Sequence, residues 1–172
     1  MGRYFFGLNL ASAFKQEITN WRELHLPNDT KSVIAENFHI TLVFLGMVEQ
    51  ETIQRCITET NNISANRFSI LLNSVGFWPK PKVLFLASDD VAVTLSILVN
   101  NLTNIVINNG IKLQQRPYIP HLTLCRKAKA LPNILAKPNF EIEFNNFCLY
   151  ESISTDRGVQ YKVVQTWPLN GS

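Results

Sequence analysis

The segment Glu36-Asn37-Phe38-His39-Ile40-Thr41-Leu42-Val43-Phe44-Leu45-Gly46 contains a tetrad, His39-Ile40-Thr41-Leu42, that returns as His121-Leu122-Thr123-Leu124. The two histidines stand 82 residues apart, near half of the 172-residue chain. Each copy lies in a short apolar run that reads as a strand. One equivalent strand in each half predicts two similar lobes.

Strand geometry gives the repeat its chemical meaning. Side chains at i and i+2 share a face, so His39 and Thr41 project together, as do His121 and Thr123. Ile40, Leu42, Leu122 and Leu124 turn the other way, into a core. If the lobes face each other, two imidazoles and two hydroxyls converge on one cleft. Two imidazoles with ordinary pKa values of ~6.5 suit general acid and general base work near neutrality. The hydroxyls can donate to non-bridging oxygens, and Arg126 or Arg116 can neutralise a dianionic transition state. The set suits attack at phosphorus without a metal.

The rest of the chain reads outward from these strands. Arg3–Leu10 reads as a first strand, with Ser12 capping a helix whose Phe14, Ile18, Trp21 and Leu24 share a face. Pro27-Asn28-Asp29 ends that helix in a loop. A strand over Phe38–Leu45 closes at Gly46, and helical spacing follows over Glu51–Thr60. Strands are expected at Arg67–Val75 and Val83–Ala87, separated by a turn-rich Gly76-Phe77-Trp78-Pro79-Lys80-Pro81. Val91–Asn109 is the longest helical pattern, with Gly110 as its stop. Ile119–Cys125 is a strand. Phe140–Tyr150 and Val159–Trp167 form a hairpin around Asp156-Arg157-Gly158. Strands adjacent in sequence favour antiparallel pairing, so the expected class is α+β.

Composition bounds the function. The chain is 46% hydrophobic and 17% charged, a globular balance that excludes an intrinsically disordered protein. Its net charge of +3 permits an anionic partner but does not provide the dense cationic coat of a non-specific DNA binder. Cys56, Cys125 and Cys148 are odd in number and lack paired spacing, which fits structural thiols in a reduced, cytoplasmic protein. Three scattered His and no paired Cys give no zinc spacing. No G-x-G-x-x-G or G-x-x-x-x-G-K loop occurs. No apolar run is long enough for a membrane span, so no membrane partner is expected.

With flanks included, the paired segments resemble the 2H phosphoesterase superfamily, and within it the RNA 2′,3′-cyclic phosphodiesterases, also called LigT-like or 2′-5′ RNA ligase-like proteins. Glu36–Gly46 is similar to that family's first motif. Arg116-Pro117-Tyr118-Ile119-Pro120-His121-Leu122-Thr123-Leu124-Cys125-Arg126 is similar to the second. Arg3–Leu8 resembles its first strand, and Leu149–Leu169 its final hairpin. The resemblance implies a bilobal α+β fold: pseudo-symmetric lobes, each an antiparallel sheet flanked by helices, with the active-site cleft between them. Residues 1–172 would form one domain of two intertwined lobes. It implies metal-independent hydrolysis of RNA or nucleotide 2′,3′-cyclic phosphate ends to a 2′-phosphate, without a cofactor and by a monomer.

The resemblance carries catalysis onto His39 and His121, and phosphate binding onto Thr41, Thr123 and Arg126. One His would take a proton from water while the other protonates the leaving 3′-oxygen. His121 as base and His39 as acid is the working assignment, and the equivalence of the motifs leaves the reverse open. In a regular strand Arg126 points away from His121 and Thr123, so it reaches the cleft only if the strand ends or bulges. Tyr118 and Arg116 are candidates for base stacking or phosphate contact. Tyr4, Phe6, Phe77 and Trp78 are aromatic alternatives for which core packing is the default. His25 reads as a helix-end residue. The competing functions are a non-catalytic module that binds RNA ends or nucleotides, and a weak reverse 2′-5′ RNA ligation.

Overall fold

The computed structural model describes residues 1–27, 29–114, 116–156 and 158–171. The chain runs β1 (Gly2–Asn9), α1 (Ser12–His25), β2 (Lys31–Ser32), a 3-10 turn (Ala35–Asn37), β3 (His39–Val48), α2 (Gln50–Thr60), β4 (Phe68–Leu72), β5 (Ser74–Trp78) and β6 (Val83–Ala87). It continues with α3 (Val93–Asn108), β7 (His121–Arg126), β8 (Phe140–Phe144), β9 (Asn146–Thr155) and β10 (Gly158–Pro168).

The main sheet has the order β10-β9-β1-β3-β7-β6-β5, with antiparallel pairs throughout. At its middle, β3 and β7 are paired only through Ile40 opposite Leu122. The two halves of the sheet therefore splay into pseudo-symmetric lobes, giving the expected α+β class. A second sheet joins β4 from the first half of the chain to β8 from the second. One sheet face lies on the main core, where Phe6, Leu8, Ile40, Leu84, Leu86 and Leu122 are buried with the helices' Ile18, Ile53 and Leu98. The opposite face carries two small satellite clusters, one of Phe5, Cys148, Tyr150 and Tyr161, the other of Val83, Phe85, Ala87 and Trp78.

Several sequence expectations are corrected. Ser12 is the first helical residue rather than the cap: Ala11 is the N-cap, and its carbonyl accepts the Lys15 amide at 3.1 Å. Leu24 is 78% exposed and leaves the expected face of α1, whereas Phe14, Ile18 and Trp21 pack on the core and Arg22 is buried beside them. Gly46 does not close β3. It sits inside the strand at φ +76°, where the β1 register skips Leu45. A residue without a Cβ accommodates that bulge.

The run 67–75 is two strands broken at Asn73. β4 belongs to the small sheet and β5 to the main one, and β5 absorbs Gly76, Phe77 and Trp78 from the expected turn. The run 140–150 divides in the same way at Asn145. A continuous β-rich pattern does not reveal a chain that changes sheets at one polar residue. Asn28 and Arg157, in two of the expected turns, lie outside the described residues.

Candidate active site

His39 opens β3 and His121 opens β7, and both are half-buried on the face opposite the main core. Each imidazole is held by the carbonyl two residues before it: Nδ1 of His39 lies 2.7 Å from Asn37 O, and Nδ1 of His121 lies 2.8 Å from Ile119 O. A carbonyl only accepts, so Nδ1 carries the proton and Nε2 keeps its lone pair. The Thr41 hydroxyl is 3.1 Å from Nε2 of His39 and donates to it.

Aromatic side chains fix both rings. Phe5 and Tyr161 flank His39 at centroid distances of 4.8 and 4.7 Å. Trp78 and Phe85 flank His121 at 4.6 and 5.7 Å. Burial pulls the His39 pKa down to about 4, more than its bond to Asn37 offsets, with His121, Lys15 and Arg126 adding positive potential. Burial also lowers the His121 pKa, against the raising effect of the Ile119 carbonyl. Burial thus favours the neutral form of both imidazoles in the free protein.

The position of Arg126 follows from the register with β6. Ala87 is opposite His121, Phe85 opposite Thr123 and Val83 opposite Arg126, while Leu84 is opposite Cys125. Val83, Phe85 and Ala87 form one cluster on the cleft face of β6. Leu124 is the extra residue of a bulge, and Leu124 and Cys125 are both buried. The alternation therefore slips by one, and Arg126 returns to the face of His121 and Thr123. The first lobe repeats this geometry: Gly7 faces Thr41, Phe6 faces Val43, and Leu42 is skipped. Phe44 thus occupies the position equivalent to Arg126.

The other candidates fall in different places. Tyr118 packs against the main core, and its hydroxyl donates to Thr41 O at 3.2 Å, which ties the chain before His121 to β3. Burial raises its pKa. Arg116 is exposed, in the loop before β7. Tyr4 and Phe6 are core residues, and Phe77 packs on the same core. Trp78 is the member of that aromatic set on the cleft face. His25 ends α1 beside the Trp21 ring, at 5.0 Å. The rings of Phe5, Phe85 and Tyr161 carried no signal in one dimension, because only strand pairing brings them to the histidines.

A cavity of about 170 Å³ opens beside His39, bounded by Lys15, Asn37, Tyr150, Tyr161 and Val163. Among the described residues, no three His, Cys, Asp or Glu side chains gather as a metal-ligand set. Nor is any helix long and apolar enough to cross a membrane.

A duplicated His-x-Thr strand on one cleft defines a class of protein, and comparison with known proteins gives the same answer. The model of the LigT-like phosphoesterase family matches residues 8–85 and again 86–161, once for each half. The chain belongs to this family. It is 29% identical over 170 residues to the RNA 2′,3′-cyclic phosphodiesterase of Escherichia coli (strain K12), covering 97% of this chain and 96% of that protein. It is 28% identical over 182 residues to the RNA 2′,3′-cyclic phosphodiesterase of Methanocaldococcus jannaschii, covering 96% and 99%. The crystal structure of E. coli LigT complexed with 3′-AMP superposes with a TM-score of 0.92 at 29% identity, over 98% of both chains.

Proposed function

We propose that this protein hydrolyses the 2′,3′-cyclic phosphate at the end of an RNA or nucleotide, without a metal, to leave a 2′-phosphate. Residues 1–172 act as one catalytic unit. The observation that carries the proposal is the pair of imidazoles on one cleft face, each with Nδ1 anchored on the carbonyl two residues before it and Nε2 left as the working nitrogen. Relatives that match nearly the whole chain and are named RNA 2′,3′-cyclic phosphodiesterases support the same substrate.

In the proposed reaction, water attacks the cyclic phosphorus in line with the 3′-oxygen. One Nε2 takes a proton from the water as the new P–O bond forms. As the P–O3′ bond breaks, the other imidazole, protonated at Nε2 beside the bound phosphate anion, gives that proton to O3′. On substrate binding the Thr41 hydroxyl turns from Nε2 of His39 to a non-bridging oxygen, which frees that lone pair for the water proton; Thr123 donates to another such oxygen, and Arg126 offsets their negative charge. A non-catalytic end-binding module would not require two histidines prepared in the same tautomer.

One observation favours reversing the working assignment of the two histidines. His39 is the imidazole whose Nε2 accepts the Thr41 hydroxyl and whose protonation the surrounding cations oppose. Those features suit a group that begins neutral, which makes His39 the base and His121 the acid.

The test is a short RNA ending in a 2′,3′-cyclic phosphate, incubated with the protein in excess EDTA, with the product resolved. Conversion to a 2′-phosphate supports the proposal. No conversion of this RNA or of cyclic mononucleotides, or a 3′-phosphate product, rejects it.

A further inference from the structure

The duplicated halves carry different charge at equivalent ends. In the second lobe, β2 pairs with the end of β7, and Lys31 stands directly opposite Arg126. Directly paired residues share a sheet face, so Lys31 lies on the cleft face beside Arg126. Like charges in this position destabilise an antiparallel pair. Neither residue makes a salt bridge among the described residues. The same end gathers Lys127, which follows Arg126, and Lys80 and Lys82 in the turn between β5 and β6. The Ala128 amide donates to Lys82 O at 3.0 Å, which joins that turn to the segment after β7. All five cations are exposed. The carboxylate nearest in sequence, Asp29, is paired with Lys129 at 3.0 Å.

The equivalent end of the first lobe is different. Phe44 stands where Arg126 would be, covered by the Arg3 guanidinium at 5.0 Å. The charges near that end are balanced, with Glu151 directly opposite Lys162 in the register of β9 and β10. Glu49 pairs with the N-terminus, Glu51 with Arg55, and Glu151 accepts from Tyr4. A symmetric fold with this asymmetry gives a polyanion one favourable way out of the cleft.

We propose that the cationic end formed by Lys31, Lys80, Lys82 and Lys127 binds the internucleotide phosphates of the RNA strand leading to the cyclic end. Arg126 is the boundary between the reacting phosphate and this track. The strand leaves the cleft over the end of β7 and away from the charge-balanced end of the first lobe. The protein would thereby favour an oligonucleotide over a mononucleotide carrying the same terminus. The proposal rests on the cyclic phosphodiesterase reading, but its test does not need turnover.

The test measures binding of a labelled hexanucleotide with a terminal 2′-phosphate, beside the mononucleotide 2′-phosphate, across a salt series. Wild type binds the hexanucleotide more tightly, and its salt slope exceeds the mononucleotide's by about 0.7 for each added phosphate contact. Lys31→Gln, and a combined Lys82→Gln/Lys127→Gln variant, each reduce the preference severalfold and flatten the slope. Lys162→Gln, on the far edge strand, keeps both. Equal affinity of wild type for the two ligands, or a preference that survives removal of all three lysines, overturns the proposal. Failure of catalysis alone rejects the enzymatic reading while these binding results still decide the track.

Discussion

Thr123 and Arg126 lie three residues apart on one strand and project from the same face, because Leu124 is an extra residue in the register between β7 and β6. Arg22 supports this bulge. It is 8% exposed with no carboxylate partner among the described residues, and its guanidinium donates to the carbonyls of Leu124 and Val33 while lying 5.5 Å from the Phe38 ring. It therefore connects the residue before His39 to the bulge before Arg126.

Arg22→Met is expected to lower stability by about 2 kcal/mol, as for loss of charge-assisted bonds, with Val33 O losing its Arg22 donor while Leu124 O keeps the Val33 amide at 2.9 Å. It should also weaken phosphate binding through a displaced Arg126. Urea denaturation and inorganic phosphate titration check the two effects. Unchanged phosphate affinity in the folded variant would separate Arg22 from the site.

Gly76 lies across from Phe85, and a Cβ there would come within 2.2 Å of the Phe85 ring. That ring packs on Trp78 at 4.0 Å, and both flank His121. Gly76→Ala should cost about 1–3 kcal/mol through overpacking and reduce turnover through His121, with the His39 side intact. A variant with wild-type turnover would show that the Trp78–Phe85 platform does not position the imidazole.

The histidines make stability depend on pH with a defined sign. Unfolded imidazoles titrate near ~6.5, whereas His39 in the folded protein titrates at about 4. Between these values the unfolded chain binds more protons, so stability falls as pH drops through the window. Above pH 6.5 this contribution is fully present. Urea midpoints across pH 4–7.5 should decline less steeply for His39→Gln than for wild type. Parallel curves would contradict the buried neutral imidazole.

The direction of proton transfer is separable with a substrate whose 3′-oxygen is replaced by sulfur. A thiolate leaves without protonation, so the variant lacking the general acid should recover on it and the variant lacking the base should not. With His39 as base, His121→Ala is rescued and His39→Ala is not. The opposite pattern restores the assignment made from sequence.

The duplicated tetrad made the two lobes and the His-Thr pairs legible in the sequence, and the succession of neighbouring strands made the α+β class legible. The position of Arg126 was legible only as a condition, because a bulge depends on the partner strand and leaves no mark in the alternation of Leu124 and Cys125. The breaks at Asn73 and Asn145 were hidden for a similar reason: both flanking runs are β-rich, and only pairing assigns them to different sheets. Trp78 read as a turn residue beside Pro79, yet it packs on His121. Tyr118 read as a stacking candidate because of its place before His121, yet its hydroxyl is bonded to the Thr41 carbonyl.

The two-histidine account is tested most directly by single-turnover hydrolysis of a 2′,3′-cyclic phosphate RNA by wild type, His39→Ala and His121→Ala, each shown to be folded. Each variant should be slower by about 10²–10⁴-fold, the usual range for loss of a general acid or base. Either variant within tenfold of wild type would contradict it.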